Sequence, residues 1–270
     1  MKFTVFGATG FIGRNITAYL EKQGHTVWSP SRDGKETYGH NLGHVIYAIG
    51  LTGDFRSKPF DTVEAHVCKL RELLKSTIFD SWLYLSSTRI YEGLPLNTKA
   101  SEDTSLEIQP DLDLYNISKL MGEALCLSLP NKKIRIARLS NVYGVGQSQH
   151  TFLALVLSEL LKSGNVVIHE NQDSWKDYIA LNDVLSILEA IALTGQKRVY
   201  NVASGKELQH SELTEKLMRL TKGSIQFAQE ASCRKFPSID ISRIQDEFGF
   251  VASEMDEQLP TLIAQANLQI

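Results

Sequence analysis

A seven-residue stretch near the start of the chain, Gly7-Ala8-Thr9-Gly10-Phe11-Ile12-Gly13, constrains the fold more than any other. Before it runs Phe3-Thr4-Val5-Phe6, an apolar segment rich in β-branched and aromatic residues that reads as a buried strand. After it, Ile12, Ile16, Tyr19 and Leu20 recur at helical spacing, and Gly24 marks the stop. The glycines therefore stand where a strand passes into a helix. Gly7 permits the tight turn, Gly10 lets the backbone approach a pyrophosphate, and Gly13 lets the helix pack closely on the strand. The helix N-terminus offers unbonded N–H groups and the positive end of its dipole to phosphates. Gly7, Thr9, Gly10, Phe11, Ile12 and Gly13 are thus candidate dinucleotide-binding residues, in a G-x-x-G-x-x-G spacing.

The 270 residues fit one large α/β unit, or such a unit with a small appended lobe, and 43% apolar residues suffice for a sizeable core. A formal net charge of -3 without a basic block gives no reason to expect a nucleic-acid partner. Cys68, Cys126 and Cys233 are odd in number and far apart, which fits buried thiols in a reducing compartment; no metal site is expected. The longest apolar stretch, Phe152 to Leu161, is broken by Ser158 and Glu159 and is too short to span a bilayer. Met1 leads straight into the first strand. Together these features predict a cytoplasmic protein with no membrane partner.

The second strand is Thr26-Val27-Trp28. An acidic residue is usual just beyond it, to hold the adenine ribose hydroxyls. Here that place falls on Ser31, followed by Arg32. A hydroxyl and a guanidinium suit a 2′-phosphate better than a bare ribose, so NADP(H) is favoured over NAD(H). Asp33, one or two places late, keeps NAD open. The loop marked by Gly34, Gly39, Asn41 and Gly43 is too short for a full crossover helix and strand. The sheet therefore either lacks one strand or holds a very short one. The next strand, His44 to Ile49, ends at Gly50, and Ala48, Ile49 and Gly50 are expected to leave room for a dinucleotide. An exposed loop from Thr52 to Pro59 carries Asp54, Arg56 and Lys58. A helix over Thr62–Ser76 presents Val63, Val67, Leu70, Leu73 and Leu74 on one face.

The strand Trp82-Leu83-Tyr84-Leu85 ends in Ser86-Ser87-Thr88-Arg89-Ile90-Tyr91. Hydroxyls at the C-terminal end of a central strand stand where open α/β sheets place ligands. Asp111-Leu112-Asp113-Leu114-Tyr115-Asn116-Ile117-Ser118-Lys119 opens a further helix, on which Tyr115 and Lys119 share a face. A nearby ammonium stabilises a phenolate, so Lys119 is expected to lower the Tyr115 pKa toward working pH.

Taken together, these segments identify the chain as similar to the extended short-chain dehydrogenases/reductases of the nucleotide-sugar epimerase/dehydratase group. The glycine turn matches that family's opening. Leu85 to Tyr91 resembles its serine-bearing strand end, and Tyr115-Asn116-Ile117-Ser118-Lys119 its Y-x-x-x-K pair. Arg138-Leu139-Ser140-Asn141-Val142-Tyr143-Gly144 resembles R-x-x-N-V-Y-G, Lys176-Asp177-Tyr178-Ile179 resembles R-D-[FY]-I, and Asp240-Ile241-Ser242-Arg243 resembles D-x-S-[KR]. The resemblance implies a Rossmann-type doubly wound parallel sheet with a small discontinuous C-terminal substrate lobe, binding a nucleotide sugar. It implies Ser87, Tyr115 and Lys119 as the catalytic group, the last two also on the cofactor, with hydride moving between a sugar carbon and the nicotinamide. Thr88, Arg89, Asn141 and Lys176 would meet the substrate, and either Arg234 or Lys235 a phosphate. Members are often homodimers through the helices around Val63 and Leu120.

Departures narrow the reading. The acidic pair that dehydratases carry after the catalytic hydroxyl is here Thr88-Arg89, so loss of water has no evident acid and base. His66 stands where members often have an asparagine. The domain division expected is 1–142 with a return segment of about 176–203 for the dinucleotide, and 143–175 with 204–270 for the substrate. Three functions stay open: a nucleotide-sugar epimerase, an NADPH-dependent keto-sugar nucleotide reductase toward which Ser31-Arg32 leans, and a non-catalytic relative, against which the retained Tyr115 and Lys119 argue.

Overall fold

The structure, a computed structural model, describes residues 1–51, 53, 55–106, 113–149 and 151–267; Asp54 of the expected loop and Asp111 of the expected helix start lie outside these. The first half runs β1 (Lys2–Phe6), α1 (Phe11–Lys22), β2 (Thr26–Trp28), β3 (His44–Tyr47), α2 (Pro59–Val63), α3 (Lys69–Ser76), β4 (Ser81–Ser87), β5 (Lys99–Ala100), α4 (Leu114–Ser128) and β6 (Ile134–Leu139). The second runs β7 (Asn141–Tyr143), α5 (Phe152–Ser163), β8 (Asn165–Ile168), β9 (Trp175–Ala180), α6 (Leu181–Thr194), β10 (Val199–Val202), β11 (Glu207–Gln209), α7 (His210–Thr221), β12 (Ser224–Phe227), β13 (Ser238–Ile239), α8 (Ser242–Phe248) and α9 (Met255–Asn267).

Six parallel strands form the main sheet in the order β10-β6-β4-β3-β1-β2. Both faces are covered, so the central strands read as nearly continuous apolar runs; Phe3, Val5, Ile46, Leu83 and Tyr84 are fully buried. The short crossover after β2 holds only a 3-10 turn, Lys35–Thr37, and leaves β2 as the sheet edge. The missing strand expected from the loop length is therefore a feature of the fold.

On one face, Ile16 and Leu20 of α1 and Val184, Leu188 and Ile191 of α6 close over β1 and β4. On the other, Leu70 and Leu73 of α3 and Cys126 of α4 meet Tyr47, Trp82 and Tyr84. The helix expected over Thr62–Ser76 begins earlier, at Pro59, and contains a π-helical segment, Glu64–Cys68, between α2 and α3. A separate core gathers Leu157 and Leu160 of α5, Val166 of β8, Leu213 and Leu217 of α7 and Leu259 of α9. β9 does not enter the main sheet. It pairs with β7 and β11 in a three-stranded sheet, and the chain returns to the main sheet only through α6 and β10.

Candidate active site

The parallel strands end together, and a cavity of about 400 Å³ opens at their C-terminal ends. Gly10, Phe11 and Ile12 line it from the first turn, Ala48, Ile49 and Gly50 from the end of β3, and Ser87, Thr88 and Arg89 from the end of β4. Tyr115 and Lys119 enter from α4, and Asn141 from β7. The opposite wall comes from Phe152, from Trp175 to Tyr178, and from Phe236 to Ile239.

The glycine turn fits a dinucleotide. Gly7 has φ +83°, and a Cβ there would lie 2.8 Å from the backbone of Ala48 and Ile49. A Cβ on Gly13 would lie 2.0 Å from the Gly7 carbonyl oxygen. Gly7 and Gly13 thus shape the turn without lining the cavity. Gly10 is the N-cap of α1 and has no side chain to satisfy the first N–H groups, which leaves them for an anion. Thr9 is exposed and also lies outside the cavity wall.

Ser87, Tyr115 and Lys119 converge as expected. Asp113 caps α4, its carboxylate accepting from the Asn116 N–H at 3.2 Å, and so fixes where Tyr115 leaves the helix. Ser87 accepts from the Arg89 N–H at 3.2 Å and lines the cavity together with Tyr115. The Lys119 ammonium donates to the Leu85 carbonyl at 2.8 Å. Burial pushes the Lys119 pKa down to about 7, with Glu123 opposing. Burial raises the Tyr115 pKa above its ordinary value, and the groups that pull it back down are Ser87 and Arg89.

His66 lies in the π-helical segment and is fully buried. The Leu51 N–H donates to its Nε2 at 3.3 Å, so Nδ1 carries the proton and donates to Ser118 Oγ at 2.8 Å. Ser118 in turn donates to the Tyr115 carbonyl at 3.1 Å. Burial, with the neighbouring Lys119, lowers the His66 pKa to about 2, so the ring stays neutral. It meets the Tyr115 ring edge-on, centroids 5.4 Å apart. His66 therefore packs against Tyr115 and ties the loop after β3 to α4.

The expected substrate contacts divide. Asn141 donates to the Asp177 carbonyl at 2.8 Å from the cavity wall. Lys176 reaches Glu170 at 3.1 Å and sits 4.6 Å above the Phe152 ring. Thr88 is buried, with its hydroxyl 3.4 Å from the Leu139 carbonyl. Arg89 faces Tyr115 and is held by Glu92 and Asp113. Arg234 does not line the cavity; it donates to Glu92 at 2.8 Å. Ser31 is also corrected: its hydroxyl and N–H are engaged by the Asp33 and Glu36 carboxylates, and the exposed Arg32 and Lys35 are the cations of that loop.

Sequence reasoning missed the segment that covers the cavity. Trp175 Nε1 donates to the Phe236 carbonyl at 2.7 Å and Ser174 Oγ accepts from the Arg234 N–H at 3.0 Å. Trp175 adjoins the Lys176 motif, which is the one local signal that could have flagged it. Asp177, in the same motif, accepts from the N–H groups of Ser204, Gly205 and Lys206 and so fixes the turn before β11.

A family model for the NAD dependent epimerase/dehydratase family matches residues 3–203. The chain is 28% identical over 260 residues to GDP-6-deoxy-D-mannose reductase of Pseudomonas aeruginosa, covering 84% of this chain and 82% of that one. Two solved structures share the fold. MoeE5 in complex with UDP-glucose and NAD superposes with a TM-score of 0.84 at 20% identity, over 100% of this chain and 99% of that one. RMD from Pseudomonas aeruginosa complexed with NADPH gives 0.80 at 22%, over the whole of both chains. With the glycine turn, the Ser-Tyr-Lys convergence and a family match over most of its length, the chain belongs to the NAD dependent epimerase/dehydratase family.

Proposed function

We propose that the protein is an NAD(P)-dependent oxidoreductase of the epimerase/reductase type that transfers a hydride at a sugar carbon of a nucleotide sugar. The observation that carries this reading is that Ser87, Tyr115 and Lys119 meet in one cavity beside the glycine turn. When bound, a nicotinamide dinucleotide supplies or accepts the hydride. Ser87 and Tyr115, which line the same cavity, would bracket one sugar oxygen, Tyr115 taking or giving its proton. Lys119, anchored on Leu85, would hold the nicotinamide ribose. Asn141 and Lys176 would meet the nucleotide sugar from the far wall.

Dehydration lacks support, because Arg89 stands where an acid would be needed. Residues 1–142 with about 176–203 would carry the dinucleotide, and 143–175 with 204–270 the sugar nucleotide, acting as a homodimer in the cytoplasm. NADP(H) is the cofactor proposed, on Arg32. The carboxylates of Asp33 and Glu36 beside Ser31 favour the second reading, NAD(H), since they would accept from a bare ribose diol.

The test is a mass spectrum of co-purifying dinucleotide, followed by assays for epimer formation without added cofactor and for NADPH oxidation with keto-sugar nucleotides. Tyr115→Phe should cost on the order of a hundredfold or more in turnover. Unchanged turnover in that variant removes the assignment.

A further inference from the structure

Behind the far wall of the cavity stands a histidine that the site described above does not use. His210 opens α7 and is fully buried. Neither of its ring nitrogens has a hydrogen-bond partner among the described residues. The ring is stacked on Phe152, with centroids 4.0 Å apart and planes 13° from parallel. Its Nδ1 stands 3.8 Å from Glu170 Oε2, too far for a hydrogen bond. The same carboxylate holds the Lys176 ammonium at 3.1 Å, and that ammonium sits 4.6 Å from the centre of the Phe152 ring. Lys176 and Phe152 line the cavity, whereas His210 does not. One carboxylate is thus within reach of both a cation on the cavity wall and an imidazole behind it.

A buried polar group without a partner carries a desolvation penalty, so a histidine on the helix face that also buries Leu213 and Leu217 needs a reason. The charged groups that face it are Lys176 of β9 and Glu170 of the turn before β9. α5 presents the uncharged Phe152, and Glu212 of α7 itself is exposed. The Tyr178 phenol of β9 is buried and kept neutral by that burial and by Glu170. Burial first, and Lys176 next, hold the His210 pKa below its ordinary value, with Glu170 opposing. While Lys176 keeps Glu170, the ring is therefore neutral. Arg89 and Arg234 add positive charge around Lys176 and so favour an anion there.

We propose that Lys176 takes the diphosphate of a nucleotide sugar by letting go of Glu170, and that His210 then receives the Glu170 carboxylate as an imidazolium, its proton drawn from the solvent. The inference rests on the nucleotide-sugar reading above. A diphosphate and a carboxylate on one ammonium repel each other, and solvent screens that repulsion weakly in a buried wall. His210 is the neighbouring group that can answer it. Closing the 3.8 Å gap gives an orphaned ring nitrogen a hydrogen bond, and the charge on the ring makes that bond an ion pair. Once the ligand neutralises Lys176, one of the two influences that keep the ring uncharged is gone. His210 is thus a positioning residue, which holds the counter-ion of Lys176 while the ligand is bound. A ring that is protonated more readily in the complex than in the free chain means proton uptake on binding, and an affinity that rises as pH falls.

The test is calorimetric titration of the full chain with UDP-glucose and with GDP-mannose, whose diphosphates are diesters and carry no proton that titrates near neutrality. Runs in two buffers of different ionisation enthalpy give the protons taken up per ligand. At about pH 6 the wild type should take up roughly half a proton or more, and its affinity should rise severalfold between about pH 8 and about pH 6. His210→Phe keeps an aromatic stack and should lose both the uptake and the pH dependence. Glu170→Gln leaves Lys176 with no carboxylate to give up, so it should bind more tightly than the wild type at about pH 8 and take up no proton. Lys176→Met should lose most of the affinity. Each variant is checked for folding by circular dichroism, and if His210→Phe does not fold, Glu170→Gln carries the comparison. A smaller uptake in the wild type, uptake that persists in His210→Phe, binding no tighter in Glu170→Gln, or binding that Lys176→Met leaves intact overturns the inference, as does a chain that binds neither sugar nucleotide. None of these results is a rate, so the oxidoreductase reading stands or falls separately, on Tyr115→Phe.

Discussion

Replacing Glu123 by alanine should destabilise the fold more than any surface change, and the structure shows why. Glu123 on α4 and Arg138 on β6 form a buried ion pair, their side chains 3% and 6% exposed. Arg138 Nε donates to both carboxylate oxygens at 3.1 and 3.2 Å, and Nη2 to Oε2 at 2.6 Å. Nη1 donates to Tyr91 Oη at 2.7 Å, and Tyr91 donates to Asn201 at 2.8 Å. The pair therefore joins the helix bearing Tyr115 to β6 and, through Tyr91, to the turn that follows Ser87. In Glu123→Ala the guanidinium keeps its charge and its burial but loses its counter-ion. Orphaning a buried charge costs about 3–5 kcal/mol, against about 1 kcal/mol for a surface pair. At roughly 2–4 °C per kcal/mol for a chain of this size, the melting temperature should fall by about 6–20 °C. Glu123→Leu with Arg138→Met removes both charges and should recover most of the loss, since the penalty lies in the unpaired ion rather than in the missing bond. Urea unfolding of wild type, single and double variants decides the matter. A single variant within about 1 kcal/mol of wild type refutes the reasoning, as does a double variant no more stable than Glu123→Ala.

Gly13→Ala places a methyl 2.0 Å from the Gly7 oxygen, so the first turn must move; a loss of about 1–3 kcal/mol in stability should accompany weakened dinucleotide binding in a fluorescence titration. Arg32→Ala should weaken NADP(H) more than NAD(H) by calorimetry, and equal losses defeat the 2′-phosphate reading. His66 gives a pH test with a definite sign. Burial holds its folded pKa at about 2, below the unfolded value near 6.5, so the unfolded chain binds the extra proton and stability drains away as pH falls below about 6.5. Between pH 7 and 4.5 the wild type should lose roughly 2 kcal/mol more than His66→Asn. Equal losses in the two proteins count against a neutral, buried imidazole.

What could be read in the sequence was local. The strand–turn–helix around Gly7 to Gly13, the four-residue spacing of Tyr115 and Lys119, and the shortened crossover after β2 each follow from residues close together in the chain. The charge pattern of the site was not legible, because it is set by pairs far apart: Arg234 is captured by Glu92, and Arg89 by Asp113 across a helix cap. The π-helical segment shows the same limit in the backbone. Its Ala65 and His66 carbonyls accept from Tyr47 at 2.6 Å and Tyr84 at 3.3 Å, hydroxyls borne by two strands of the sheet. α4 can close on them only because residue 122 is glycine, whose Cβ would stand 2.4 Å from Tyr84 Oη. A periodicity of 3.6 residues cannot report a turn that is widened by partners outside the helix. Yet that widened turn carries His66, which links Leu51 to Ser118 and packs on Tyr115. The Tyr115 phenol is thus picked out by a four-residue pattern but aimed by contacts from other segments. A Tyr-Lys spacing therefore marks the phenol, while its burial, which raises its pKa, and the Arg89 charge, which opposes that rise, come from residues the spacing does not contain.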